Sequence, residues 1–449
     1  MKKIISLIFM LLILFGCKNL KEENIANITV CGGGAIPDQY IVIMKDAFEE
    51  PVIKHRLNDT NREKQRNRNK PERDRKEKKL KDFLVGKGIG SARQKMLFAD
   101  VKVGAVVSID KSRADTLRAD TVNVESVVQD VSIQINPIQQ SDEEASINPI
   151  QQWLSPIIPA SGINPIQQDD SIQNRYDIDT LNHWTKALVT AGGPVDGTTN
   201  TSMIWFLDTG IDPSGNHLNV NTALGTSFVG GSWTDNNGHG TFCAGVAAGK
   251  PIRGSATLDE IHYGIAEGAT VVPVKVLDNT GTGSWGTVIA GLNYVAQLSD
   301  TGDVVNLSLG AYDPTNPTCR YPGLKNAIEN VTEHEVFVTL SAGNNAGIAN
   351  YNAPGCINGP NIFTTSSINA DSTCAVYANF GWPTTDPIDF VTVGTRLFSI
   401  WMGGEYRMAT GTSISSALLA GIIHARNAAP ASGSTVSCRG GAYPIGVIR

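Results

Sequence analysis

Three short segments supply the residue types that acyl transfer needs. Met203-Ile-Trp-Phe-Leu-Asp208-Thr-Gly210 ends an apolar run on a carboxylate, Asn237-Gly-His239-Gly-Thr241 sets a histidine between glycines, and Gly411-Thr-Ser413 places a hydroxyl ahead of an apolar segment. An acid, a base and a nucleophile therefore occur in the chain order Asp, His, Ser, one of the orders in which this constellation is built. A carboxylate at the end of a strand can accept the Nδ1 proton of a histidine, and the histidine can then take the proton of a serine hydroxyl. A fourth segment, Ser341-Ala-Gly-Asn344-Asn-Ala-Gly347, follows another apolar run and offers the Asn344 amide to an oxyanion.

The elements that must position these groups are also visible. From about Tyr176, apolar strand-like runs at 203–207, 271–276, 304–307, 336–340 and 362–366 alternate with helical patterns at 241–248, 287–298 and 324–331. This alternation predicts an α/β fold with a parallel sheet covered on both faces, and chemistry in such sheets gathers at the carboxyl ends of the strands. Asp208 closes one such strand and His239 precedes an apolar helix. Ser413 heads the apolar segment 414–425, where a helix N-terminus favours developing negative charge.

With these motifs in view, residues from Met203 to Ser437 resemble the subtilisin family of serine endopeptidases, and within it the proteinase K branch. The resemblance is carried by Asp208-Thr-Gly, Asn237-Gly-His239-Gly-Thr-Phe-Cys243-Ala-Gly, Val305-Asn-Leu-Ser308-Leu-Gly310, Ala342-Gly-Asn344 and Gly411-Thr-Ser413. It implies Ser413 as nucleophile, His239 as general base and acid, Asp208 as its orienting partner and Asn344 as oxyanion donor. It also implies that Ser308, Leu309 and Gly310, the glycine-rich stretch with Gly283, and Ser341, Ala342 and Gly343 bind an extended substrate. Catalysis then needs no cofactor. The carbonyls of Pro360 and Ile362 with the carboxylate of Asp389 fall where the branch holds a structural calcium, an oxygen set suited to that ion.

Three departures accompany the resemblance. Ile414-Ser-Ser-Ala-Leu418 replaces the usual Met-Ala-Thr-Pro-His after the serine, the usual C-terminal helices are trimmed after Cys438, and Phe242 stands where a second histidine is common. Cys243, four residues after His239, shares its helix face and reads as an inert buried thiol rather than a reactive one.

The N-terminal third reads differently. Lys2 and Lys3 precede the apolar run 4–15 and Cys17, the pattern of an exported bacterial lipoprotein with Cys17 as lipid anchor, or of a plain secretory signal. Residues 18–37 suit a tether. Residues 38–131 carry a strand at 40–44, a strand at 101–109, a helix at 112–120 and a strand at 122–128. They resemble the small α+β propeptide, of inhibitor I9 type, that blocks and helps fold subtilisins. The charged stretch 54–82 reads as an insertion with a solvated helix face, an anionic partner being the sharper alternative. Residues 132–175 hold Ile-Asn-Pro-Ile-Gln-Gln at 135–140, 147–152 and 163–168, copies too short to fold alone; they read as an exposed linker suited to maturation cleavage, or as a docking motif. The catalytic domain then spans 176–449.

Composition bounds the partners. A net charge of −6 argues against nucleic acid. Protein and peptide substrates, the chain's own propeptide and a membrane reached through lipid remain, with a monomer expected. Cys319, Cys356, Cys374 and Cys438 form an even set in an oxidising compartment, so two disulfides are expected among three pairings. Two rival functions fit parts of the sequence. An aspartic protease would pair Asp208-Thr-Gly210 with Asp300-Thr-Gly302, and a non-catalytic surface lipoprotein would use the fold for binding.

Overall fold

The computed structural model describes residues 34–45, 62–99, 102–135, 191–251, 263–314, 316, 319, 321–333, 335–381 and 386–449. The signal segment, Cys17 and most of the repeat-bearing linker lie outside the described residues. No helix among the described residues is long and apolar enough to cross a membrane.

The first layer is small and antiparallel. It comprises β1 (Ala35–Met44), α1 (Arg62–Gly86), β2 (Gln94–Phe98), β3 (Gly104–Ser108), α2 (Lys111–Arg118) and β4 (Val124–Gln134). Period-two alternation splits the residues of β1 between two cores. Tyr40, Val42 and Met44 bury against Leu80 and Leu84 of α1 and Ala114 and Leu117 of α2, while Ile41 and Ile43 face the rest of the molecule. The part of the charged stretch that is described is α1, with Lys81–Glu77 paired one turn apart at 3.8 Å and a buried Lys76 paired with Glu72 at 3.3 Å.

The larger layer begins with β5 (Met203–Asp208), α3 (His239–Ala248), β6 (Thr270–Lys275), β7 (Thr282–Ser284), α4 (Trp285–Leu298), β8 (Val304–Leu307) and α5 (Pro322–Thr332). It continues with β9 (Phe337–Ser341), β10 (Ile362–Ile368), β11 (Phe390–Val393), β12 (Leu397–Ile400), β13 (Tyr406–Ala409), α6 (Thr412–Arg426), β14 (Ala431–Cys438) and β15 (Gly441–Val447). The sheet runs β14-β15-β11-β10-β9-β8-β5-β6 and ends on the short strand Asn219–Val220. Every pair from β15 to β6 is parallel. Helices cover both faces, as parallel strands require. Ile204 and Phe206 of β5 pack with α3 and α6, and Trp205 and Leu207 with α4. The α/β architecture of the subtilisin fold is therefore present.

After α6 no helix follows among the described residues; the chain forms the β14–β15 hairpin, and β15 extends the parallel sheet through Val391↔Ile445, so strands close this edge. The four paired cysteines resolve as Cys319–Cys356 and Cys374–Cys438, with Cα atoms 5.8 and 5.7 Å apart.

Candidate active site

Asp208 and His239 meet because β5 and α3 are joined by a loop gathered around one buried carboxylate. Asp235 Oδ1 accepts from Thr209 Oγ1 (2.9 Å), Asn237 N (2.9 Å) and Gly238 N (2.9 Å), and its Oδ2 accepts from Thr241 N (3.0 Å) and Thr241 Oγ1 (2.6 Å). Negative charge beside the first turn of α3 is favoured by the helix dipole. Two glycines let the backbone pass. Gly238 has φ 107°, with the Trp401 ring where a side chain would sit, and a Cβ on Gly240 would lie 2.2 Å from the Gly210 carbonyl.

The result is a buried pair. His239 Nδ1 lies 2.8 Å from Asp208 Oδ1 and 3.0 Å from Oδ2. Thr209 N donates to the same Asp208 Oδ1 at 2.7 Å, and Lys275 Nζ, level with Asp208 on the neighbouring strand, donates to the Thr209 carbonyl. Burial works against an imidazolium here, but the Asp208 carboxylate more than offsets it and holds the His239 pKa well above its ordinary value. Burial pushes the Cys243 thiol up, so it is a neutral neighbour. Its Sγ lies 4.0 Å from His239 Nδ1 and 3.9 Å from the Ser413 carbonyl, between the histidine ring and the first turn of α6.

Ser413 stands in the first turn of α6. Its Oγ donates to the Ser308 carbonyl at 3.1 Å, while Ser308 Oγ donates to the Ser413 carbonyl at 2.7 Å. His239 Nε2 is buried with no hydrogen-bond partner among the described residues. The Ser413 hydroxyl is thus bonded to Ser308 and not to His239, and catalytic hydrogen bonds are often unmade outside the reacting complex. Beneath them, Asn306 Oδ1 accepts from Ser416 Oγ (2.8 Å) and Thr339 Oγ1 (3.1 Å), and Asn306 Nδ2 donates to Ser308 Oγ (2.9 Å). Asn344 Oδ1 accepts from Thr412 N and Thr412 Oγ1 at 2.9 and 2.8 Å, which turns its donor nitrogen away from α6. Asn379 braces the same loop, accepting from Asn345 N and Gly347 N and donating to the Ala342 carbonyl.

A strand of the chain itself lies along this site. Ser132, Ile133 and Gln134 pair antiparallel with Ser284, Gly283 and Thr282. On the other side Gln134 bridges Gly310, and Ile135 N donates to the Gly281 carbonyl at 3.0 Å. The predicted binding residues Gly283, Ser308, Leu309 and Gly310 are thus on the two edges that hold it, while Ser341, Ala342 and Gly343 continue β9 toward Asn344. Asp389 lies at the other end of the sheet, where its Oδ2 accepts from Thr364 N at 2.9 Å, two residues beyond Ile362. Asp300 sits exposed on the turn before β8, at the end of the strands opposite Asp208, which removes the aspartic-protease pairing.

Asp235, Thr209, Lys275 and Asn379 escaped the sequence reading. Only the Asp235-Asn-Asn-Gly turn signal ahead of His239 could have marked the first of them.

A parallel sheet with an Asp–His pair at its strand ends and a serine heading a helix defines a class of α/β protein built for serine chemistry. The subtilase family model matches residues 200–434, and the chain belongs to that family. Relatives include subtilisin-like protease 2 of Pseudogymnoascus destructans, 33% identical over 226 residues, which are 49% of this chain and 50% of the relative. The cuticle-degrading protease of Metarhizium anisopliae is 30% identical over 49% of this chain and 52% of its own. Alkaline serine exoprotease A of Vibrio alginolyticus is 27% identical over 75% of this chain and 53% of its own. The chain thus spans about half the length of these curated relatives. Among solved structures, that of a cold-adapted subtilisin-like serine proteinase matches 56% of this chain and 89% of its own, with 25% identity and a TM-score of 0.45.

Proposed function

We propose that this protein is a serine endopeptidase that cuts extended protein segments through an acyl-enzyme, and that it is made as a precursor blocked by its own N-terminal layer. The observation that carries this reading is the clamp of Asp208 on His239 Nδ1, with Nε2 left for the Ser413 hydroxyl. Ser413 Oγ attacks the substrate carbonyl while His239 Nε2 takes its proton. The imidazolium so formed is stabilised by Asp208 and protonates the departing amine. Water then repeats the sequence on the acyl-enzyme. Asn344 Nδ2 and the Ser413 N–H donate to the tetrahedral oxyanion. Hydrolysis of unfolded casein, abolished by a sulfonyl fluoride directed at serine, tests the reading; proteolysis indifferent to that reagent would overturn it.

Two results are expected of the same assay. Asn344→Ala lowers kcat by about 10²–10³ with little change in KM, the scale that loss of such a donor has in a subtilisin itself. The base works only when neutral, and Asp208 holds its pKa above 6.5. The rising limb of kcat/KM against pH therefore lies above that value, with full activity under alkaline conditions. A limb centred at 6 or below would contradict the Asp208–His239 coupling.

The layer formed by β1 to β4 serves as the propeptide. Its Ile41, Ile43, Phe98 and Ile133 share a core with Ile289 of α4 and Leu324 of α5. Asp130 of β4 accepts from Gly286 N in the first turn of α4 at 3.1 Å and from Gln39 Nε2 of β1 at 2.8 Å. With the 132–135 strand held between the substrate edges, cleavage in the linker releases the block. The sequence at 1–17 supports export with lipid on Cys17, which metabolic labelling with radioactive palmitate on wild type and Cys17→Ser would test.

The resemblance to the proteinase K branch supports a calcium ion held by Asp389 with the carbonyls of Pro360 and Ile362. Burial, followed by the charge of Asp386, pushes its carboxyl up to about 6, and a hard cation beside it would hold it ionised. At calcium about 100-fold above Kd the gain is about 2.7 kcal/mol. Chelation should then lower Tm by roughly 5–10 °C in the wild type and not in Asp389→Ala.

A further inference from the structure

We infer that Asn352 makes the pocket for the residue preceding the cut selective for a short amide side chain, asparagine above all. The inference rests on the endopeptidase reading and goes beyond it, to the identity of the residue that is recognised.

The docked strand supplies the register. Gln134 faces Gly310, and an antiparallel pair advances one residue against one. A substrate laid in the same register brings the residue two positions further on level with Ser308, whose carbonyl accepts the Ser413 hydroxyl. The side chain at that position enters the slot between Ser308–Gly310 and Ser341–Gly343.

Both walls of the slot carry a glycine, and Asn352 approaches both, beside the Ala353 carbonyl, 2.6 Å from where a Gly310 Cβ would lie, and Asn379 Nδ2, 2.5 Å from where a Gly343 Cβ would lie. A Cβ on Gly310 would lie 3.1 Å from Asn352 Nδ2 and 3.3 Å from its Oδ1, and a Cβ on Gly343 would lie 2.8 Å from that Oδ1. Asn352 is wholly buried. It is fixed by the antiparallel pairs Tyr312↔Asn352 and Ala311↔Ala353 and by its carbonyl, which accepts from Cys356 N at 2.9 Å beside the Cys319–Cys356 disulfide. Its Nδ2 donates to the Ser341 carbonyl at 3.3 Å, and the amide is assigned in the orientation that makes this bond. Its Oδ1 is buried without a hydrogen-bond partner among the described residues, and so is the neighbouring Ser341 Oγ.

A buried acceptor left unmet is costly, and a site built to bond a group discriminates against analogues that lack it. An asparagine side chain is short enough for a slot whose floor is already occupied, and it carries an N–H to offer. Leucine and phenylalanine bring bulk and no donor. Aspartate has the same shape but, ionised, only accepts. The chain's own sequence places asparagine at the same position, each time ahead of a proline that disfavours cleavage there. Asparagine follows isoleucine at 136, 148 and 164, once in each Ile-Asn-Pro-Ile-Gln-Gln copy, and the first copy begins at Ile135 in the docked strand.

The test uses succinyl-Ile-Gln-Ile-X-p-nitroanilides, with X as Asn, Asp, Ala, Leu or Phe, on the processed protein after its active sites are counted with a fluorophosphonate. The wild type is expected to favour Asn over Leu and over Asp by about tenfold or more in kcat/KM. Asn352→Ala should lose about tenfold on Asn and gain on Leu. Should that variant fail to fold, the wild-type series decides alone. A fully labelled enzyme that cleaves after Leu or Phe as fast as after Asn overturns the inference and leaves the endopeptidase reading standing. Absence of both label and hydrolysis from the processed protein sinks that reading, and the inference with it.

Discussion

Asp208→Asn is expected to lower kcat by about 10⁴-fold at neutral pH while leaving the fold intact. In the wild type both carboxylate oxygens face His239 Nδ1, at 2.8 and 3.0 Å, so the ring proton sits on Nδ1 and Nε2 is left as an acceptor. An asparagine can turn its NH₂ to Nδ1, which moves the proton to Nε2, and the ring can no longer take the serine proton. Thr209 N, which donates to Asp208 Oδ1, favours that turn by claiming the amide oxygen. Stability should change little, because the Asp235 network that gathers the loop is untouched. A kcat within tenfold of wild type would show that Asp208 is not what sets the histidine tautomer.

Ser413→Ala is the larger loss, about 10⁶-fold in kcat, the scale that removing the nucleophile has in a subtilisin. Ser413 is buried at the head of α6, and its Oγ donates to the Ser308 carbonyl. That carbonyl also lines the edge to which substrate pairs, so alanine opens little space and the variant should fold. Its second signature is in processing. If the linker is cut by the enzyme itself, Ser413→Ala accumulates as the uncut chain, which intact mass reads directly. A variant cut at the wild-type position would assign maturation to another protease.

These effects fall on residues that the sequence exposed, and there is a physical reason why it did. Asp208, His239 and Ser413 each stand where an apolar run meets glycine or threonine, because a reactive group must be delivered to the end of a strand or helix through a close-packed backbone. That demand leaves a local mark. The strands 203–207, 304–307 and 362–366 were legible for a related reason, since parallel strands buried on both faces are continuous apolar runs. Asp235 left almost no mark. Its importance comes from five donors on residues 209 to 241 converging on one carboxylate, and convergence is a property of the fold. Asn352 is similar, being defined by two glycines 42 and nine residues before it in the chain, at 310 and 343. The disulfide pairing required distances, and the β14–β15 hairpin required the knowledge that β11 still had an open edge. Glycine, serine and threonine dominate 431–437, a composition with little apolar periodicity to read.

The central claim is that Ser413 is a nucleophile activated by His239. It is tested most directly by reacting the processed protein with a biotinylated fluorophosphonate and locating the adduct by peptide mass spectrometry. The account predicts one label per molecule, on Ser413, forming faster as pH rises through the His239 transition. A processed, folded protein that takes no label, or takes it on another residue, would contradict it.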